Sequence, residues 1–169
     1  MNHSTTGFGD EGAPPDLAVT EQDILANASR LALMALEQFN VDATYDAKGV
    51  LWLDRFLTGI RAMVNEDQRA VLLNAAGSFL GECVRQTYGG CWVLDAQTGA
   101  WGVKVNERMI VHPFAKAHKQ LEGGEGDSVL GFFLTIRHLM NGLPSEESAH
   151  ESKRAPAVRR WWQVWRRGR

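Results

Sequence analysis

The segment from Gly77 to Trp92 constrains the fold of this chain more than any other. It reads Gly-Ser-Phe-Leu-Gly-Glu-Cys-Val-Arg and continues to Gly-Gly-Cys-Trp. Apolar residues recur on more than one side of the helix that this pattern predicts, and a helix with so wide an apolar surface is usually buried. Gly89-Gly90 should end it, because glycine takes the left-handed cap conformation at low cost. We therefore predict a buried helix around which the other elements pack.

Gly77 and Gly81 stand one turn apart on this helix. Each costs about 1 kcal/mol in helix propensity relative to Ala. Together they should leave a groove where another backbone can approach. Glu82, Arg85 and Gln86 fall on the polar strip beside it, and their spacing predicts that the carboxylate pairs with both neighbours.

Helical periodicity dominates the part of the chain that precedes this segment. It predicts a first helix over about 21–39 after the N-cap Thr20, and a second helix capped by Asp46. Asp54 and Arg55 should lie on the outer side of this second helix. Asn65, followed three residues later by Gln68, is a capping-box signature for the third helix.

Three short strands should follow, over 91–95, around Trp101 to Val105, and over 109–112. Their connections are short, so an antiparallel meander is the simplest topology. Pro113 suits the first position of a helix over about 114–121, and Asp127 should cap a last one.

These patterns predict an α+β fold with a helical front half, a three-stranded antiparallel β-meander, two following helices and a basic, Trp-rich C-terminal tail. Residues 1–18 are polar and read as a disordered leader. We expect a single domain over 19–142, a linker over 143–156 and the tail over 157–169.

Composition narrows the setting of the protein. The apolar content is 44%, and no apolar run approaches the roughly 20 residues that a membrane span needs. Residues 1–16 lack the apolar core of a secretory signal. The two cysteines, Cys83 and Cys91, indicate reduced thiols. We therefore expect a cytoplasmic protein.

The net charge of −2 hides a strong asymmetry. The last 17 residues carry seven Lys and Arg and no acid, so the remaining body stands at −9 and the tail at +7. The tail's candidate binding residues alternate cationic and aromatic groups. They are Arg159, Arg160, Trp161, Trp162, Trp165, Arg166 and Arg167.

This tail composition has four interpretations. It suits peripheral attachment to an anionic membrane, here the inner membrane surface. It could place a Trp anchor in a protein partner. It could dock on its own acidic body. Stacking on single-stranded nucleic acid is also open, but ranks below the membrane as a partner.

Four short motifs carry a resemblance to known proteins. They are Leu53-Asp54-Arg55-Phe56, Gly77 to Glu82, Gly89-Gly90-x-Trp92, and Pro113-Phe114-x-Lys116, with a Gly-x-x-x-Ser segment at Gly124 to Ser128. In this order they resemble a family of small, uncharacterised bacterial proteins. The resemblance covers about residues 45–140. It implies the fold and no particular activity.

Six residues of the body are candidates for a binding site: Glu82, Trp92, Trp101, His112, Phe114 and Lys116. Glu82 could act as an acid or base if a partner and burial tuned its pKa. Trp92 and Trp101 suit half-buried strand positions, but either one, exposed beside His112 and Phe114, would mark a binding face. Lys116 belongs to the last motif of the resemblance.

Catalytic and metal sites have weak signatures. His112 could pair with Cys91 or Cys83 as a thiol–imidazole couple, although nothing in the spacing requires it. The Cys and His residues lack the close ligand pairs that zinc favours. The glycine-rich loop at 123–126 lacks the ending of a phosphate-binding motif. We therefore assign no catalytic residue, metal or cofactor.

The sequence thus favours a non-enzymatic protein-binding module of the accessory or immunity type, with an unidentified protein partner. The alternative is a peripheral membrane-associated protein attached through its tail. A second alternative is a small thiol-dependent hydrolase that uses Cys91 or Cys83 with His112.

Overall fold

The computed structural model describes residues 20–141, which form five α-helices, one short 3-10 helix and three strands. In chain order these are α1 (Glu21–Phe39), α2 (Ala47–Ile60), α3 (Glu66–Tyr88), β1 (Cys91–Leu94), β2 (Trp101–Asn106), β3 (Met109–Val111), α4 (Pro113–Gly123), the 3-10 helix (Gly124–Asp127) and α5 (Val129–Asn141). The α+β class and the order of its elements, with the helices first, are confirmed. The leader, the linker and the tail predicted from sequence lie outside the described residues.

The sheet is a simple meander with strand order β1-β2-β3. Both pairs are antiparallel, and Trp92 stands opposite Val103, which stands opposite Val111. These three residues are buried. Because side chains alternate between the two faces of a strand, they define the inner face of the sheet.

The first three helices begin where the sequence predicts. Thr20 and Asp23 make a reciprocal capping box at α1, and Asn65 and Gln68 make another at α3. At α2, the Asp46 carboxylate accepts hydrogen bonds from two backbone amides. Such caps satisfy amide groups that have no partner inside the helix.

Helix α3 is the centre of the domain. It packs against α1, α2, α4 and β2. Its residues from Ala76 to Val84 are all buried, which confirms the prediction of a buried helix. Gly89, with φ +78°, follows its last residue, and this left-handed conformation suits glycine.

The groove left by Gly77 and Gly81 is filled from within the chain. A Cβ at Gly81 would collide with the indole of Trp92, and one at Gly77 would lie 2.8 Å from the Cα of Phe114. Pro113 also covers Gly81. The glycines therefore let the sheet and α4 approach the backbone of α3.

Two details of the predicted fold are wrong. Asp127 does not cap α5, because its carboxylate accepts a hydrogen bond from Lys116 Nζ at 3.1 Å. Ser128 takes the capping position, with its Oγ accepting from the Gly131 amide at 3.0 Å. The predicted loop at 123–126 is helical instead: Gly123 is the last residue of α4, and the other residues lie in the 3-10 helix.

The chain divides into two compact units at the middle of α5. The first ends at Thr135 and contains all the other elements, and the second begins at Ile136. In the part of the chain described here, no helix combines the length and the apolar character that crossing a membrane requires.

Gly81→Ala should destabilise the protein by about 1–3 kcal/mol, since the added methyl group overlaps Trp92 and overpacking outweighs the gain in helix propensity. Gly59→Ala is the matched control. Among the described residues, a Cβ at Gly59 would meet no atom within 4 Å apart from the neighbouring backbone of its own helix, so that variant should gain up to about 1 kcal/mol. Urea unfolding of both variants measures the difference. Equal stabilities would show that Trp92 does not need the space above Gly81.

Candidate functional site

Glu82 lies at the junction between α3 and the sheet, and only 2% of the residue is exposed. Its two carboxylate oxygens accept from Arg85, with Nε at 2.9 Å from Oε1 and Nη2 at 2.8 Å from Oε2. Trp92 Nε1 donates to Oε1 at 2.8 Å, and Gln86 Nε2 donates to Oε2 at 3.3 Å. The predicted pairing with Arg85 and Gln86 is confirmed, and the bond from Trp92 is added to it.

These contacts fix the protonation of the carboxyl group. Burial raises the pKa of Glu82, but hydrogen bonds from Arg85, Trp92 and Gln86 lower it by more, so the net pKa is below its ordinary value. An acid or base that works near neutral pH needs the opposite shift. The arrangement therefore suits a structural carboxylate that joins α3 to β1.

Trp92 and Phe114 complete the same junction. Trp92 is buried, and its ring lies 5.9 Å from that of Phe114, centroid to centroid. Phe114 is half-buried against Gly77. Both aromatic rings therefore pack on α3, and Trp92 is not the exposed aromatic residue that would mark a binding face.

His112 lies on the opposite side of the sheet. We call this side the outer sheet face and define it by Cys91, Val93, Lys104, Ile110 and His112. Strand alternation and the register place them opposite the buried inner residues. The side chains of Ile110 and His112 flank Gly102, since a Cβ there would lie 2.6 Å and 3.2 Å from them.

Two polar side-chain pairs border the outer sheet face. His112 Nε2 lies 3.3 Å from Asp95 Oδ2, and Lys104 Nζ lies 3.0 Å from Glu107 Oε2. The backbone amide of Gln97 lowers the pKa of Asp95, with further lowering from Thr98 and His112. Asp95 therefore carries its charge at neutral pH, next to the imidazole.

The two remaining candidates lie apart from this surface. Trp101, which pairs with Leu94 at the far end of β2, is half-buried. Lys116 on α4 is engaged with Asp127. The structure thus brings together three of the six predicted residues, Glu82, Trp92 and Phe114. The other three lie at separate positions.

The geometry does not bring a thiol and an imidazole together. Cys83 is buried in α3, where burial raises the pKa of its thiol. Cys91 is exposed on β1, but β1 and β3 lie two strands apart, which separates the backbones of Cys91 and His112 by about 12 Å. Among the described residues, no group of three His, Cys, Asp or Glu side chains is placed to hold a metal ion.

The sequence missed a second polar cluster, which joins α2, α4 and α5. Asp54 was expected on the outer side of α2, but its Oδ1 accepts from Ser128 Oγ at 2.6 Å and from the Leu130 amide at 3.2 Å. Gln120, which is fully buried, donates to the same oxygen at 3.2 Å. Asp54 and Ser128 belong to two of the motifs that carry the resemblance. Their presence in those motifs was the sequence feature that could have predicted this cluster.

Comparison with known proteins adds no relative. No protein-family model matches the chain, and no curated protein or solved structure matches it. The resemblance drawn from the short motifs therefore stays a prediction, and the function has to be argued from the geometry of the chain itself.

Glu82→Gln should lower stability by about 2 kcal/mol at neutral pH, because it weakens charge-assisted hydrogen bonds to a buried group. The folded-state pKa of Glu82 is lowered, so its contribution is present above the unfolded value of about 4.3 and is lost as the pH falls through the folded value. The stability gap between wild type and variant should narrow in that window. Urea unfolding at several pH values measures it.

Glu66→Gln is the matched control, since this side chain is 95% exposed and should make little difference at any pH. A gap between wild type and Glu82→Gln that stays constant down to the acid limit of folding would contradict the structural role of the Glu82 charge.

Proposed function

We propose that this protein is a non-enzymatic binding module that contacts a protein partner through the outer sheet face. The observation that carries the proposal is the composition of that face. Ile110 is 38% exposed, and Val93, on the other side of Gly102, is partly exposed. Two polar pairs, Asp95–His112 and Lys104–Glu107, border them. An apolar centre with a polar rim is the usual anatomy of a protein interface.

The contacts that the inner residues make within the fold support this proposal. Glu82 has its oxygens occupied by Arg85, Trp92 and Gln86, and Trp92 and Phe114 fill the glycine groove. These side chains therefore stabilise the fold, whereas the side chains of the outer sheet face are accessible to a partner. The expected partner presents an apolar side chain flanked by polar and charged groups, which would complement the two polar pairs.

The position of the sheet supports the same proposal. The inner face packs on α3 and α4, whereas the outer face has exposed or partly exposed side chains along all three strands. The rigid helical layer behind the sheet fixes the positions of these side chains before any partner arrives. Such preorganisation reduces the entropy that binding costs.

Ile110→Lys should abolish capture of a stoichiometric partner from a lysate of the source organism, read by mass spectrometry against the wild-type chain. A charge at the centre of an interface typically costs several kcal/mol. Val71→Lys is the matched control, because Val71 is an apolar residue 71% exposed on α3, away from the sheet. Both variants are first checked for unchanged unfolding. Capture that is equal for both variants would contradict the proposed face.

The membrane alternative is favoured by the tail's alternation of Arg and Trp. Residues 20–141 contain eleven Lys and Arg against fourteen Asp and Glu, a net charge of −3. Residues 20–141 therefore attract a basic tail less strongly than the net charge of −9 on the whole body suggests. The tail itself lies outside the described residues.

Replacing Trp161, Trp162 and Trp165 with Ala in the full chain should reduce co-sedimentation with anionic phospholipid vesicles at least tenfold if the tail anchors the protein, because indole side chains prefer the interface. Binding by the wild-type chain should also weaken with added salt. Equal sedimentation of the two chains would rule out anchoring by the tryptophans.

A further inference from the structure

A second candidate site lies on α2, far along the chain from the sheet residues. A cavity of about 450 Å³ is lined by Asp54, Arg55, Thr58 and Gly59 of α2 and by Ser128 at the start of α5. Its volume falls within the range of about 300–1,000 Å³ that is usual for small-molecule sites. None of these lining residues belongs to the outer sheet face.

The carboxylate of Asp54 is held in a fixed orientation with one oxygen to spare. Its Oδ1 accepts from Ser128 Oγ, from the Leu130 amide and from Gln120 Nε2. Within residues 20–141, its Oδ2 takes no hydrogen bond. A carboxylate oxygen normally accepts one or two, so Oδ2 has capacity for a donor that enters the cavity.

A buried side chain supports this arrangement. Gln120 has no exposure, and its Nε2 also donates to Thr58 Oγ1 at 3.1 Å and to the Asp54 carbonyl at 3.0 Å. Its Oε1 accepts from the Val129 amide at 2.8 Å. A polar network with each member bonded holds its groups in one geometry, which is the support that a binding site needs.

The rest of the lining offers a cation and open space. Arg55 is exposed, and its guanidinium makes no ion pair or hydrogen bond within the described part of the chain. Gly59 lies one turn away on the same helix, and a Cβ built there meets nothing within 4 Å. The lining therefore includes a carboxylate with one unoccupied oxygen, an unpaired guanidinium and a position without a side chain.

We propose that this cavity binds a small zwitterion that carries an ammonium group next to a carboxylate, the chemistry of a free α-amino acid. The ammonium would donate to Asp54 Oδ2, and the carboxylate would pair with Arg55, which recognises planar anions through its fork of donors. A simple cation would be repelled by Arg55, and a simple anion by Asp54. The two charges together favour the zwitterion.

The test is an NMR titration of the full ¹⁵N-labelled chain with glycine, L-leucine and L-glutamate, each to about 20 mM, with acetate and methylammonium as half-probes. Millimolar binding corresponds to about −4 kcal/mol and suits so shallow a site. At least one amino acid should shift the amides of residues 54–59 and 128–130 in a saturable way. Neither half-probe should do so.

Two variants separate binding from folding. Gly59→Leu adds a side chain to the cavity lining and should weaken binding at least tenfold, whereas Val71→Leu, at an exposed position of α3 outside the lining, should keep it. Arg55→Gln removes the guanidinium and should also weaken binding at least tenfold. Absence of saturable shifts with every amino acid overturns the proposal, as does equal binding by Gly59→Leu and Val71→Leu. Shifts of the same size with acetate alone would show that the cavity binds a simple anion, and would overturn the proposal that it binds a zwitterion.

Discussion

The hydrogen bond from Trp92 to Glu82 is the interaction on which the arrangement of this domain depends. It joins the sheet to the central helix, and it forms only because Gly81 leaves room for the indole ring above the helix backbone. Phe114 contacts the helix in the same way at Gly77. Two glycines that weaken a helix by propensity thus become the points at which a strand and a second helix pack on it.

This arrangement changes how the polar residues should be interpreted. In the sequence, Glu82 was a possible acid or base as well as a partner of Arg85 and Gln86, but in the structure its oxygens are occupied and its pKa is lowered. The Asp54 carboxylate differs, because one of its oxygens accepts no bond from the described residues. The difference between a fully bonded carboxylate and a half-bonded one separates structural residues from candidates for binding.

Local features of the fold could be predicted from the sequence, because local interactions determine them. The capping box at Asn65, the glycine stop after Tyr88 and the short turns of the meander all act between residues a few positions apart. The partners of the glycine groove could not be predicted, since Gly77 and Phe114 are 37 positions apart. Periodicity showed that a groove exists and said nothing of which side chains fill it.

The misplacement of Asp54 has the same cause. Helical periodicity assigns it to the polar side of α2, which is correct for an isolated helix in water. In the folded chain, α5 begins 75 positions later and presents its first amides and Ser128 to that carboxylate. Asp127 does not cap α5, because its carboxylate is hydrogen-bonded to Lys116 instead. Tertiary contacts therefore determine the partners of both carboxylates, and local sequence preference does not specify those contacts.

A double-mutant cycle on Glu82→Gln and Trp92→Phe tests most directly the claim that this pair holds the sheet to the central helix. Urea unfolding of the wild type, both single variants and the double variant gives the coupling energy. The structure predicts a coupling of at least about 1 kcal/mol, since the two side chains share a buried hydrogen bond. Effects that add to within about 0.4 kcal/mol would mean that the residues act independently, and would contradict the account.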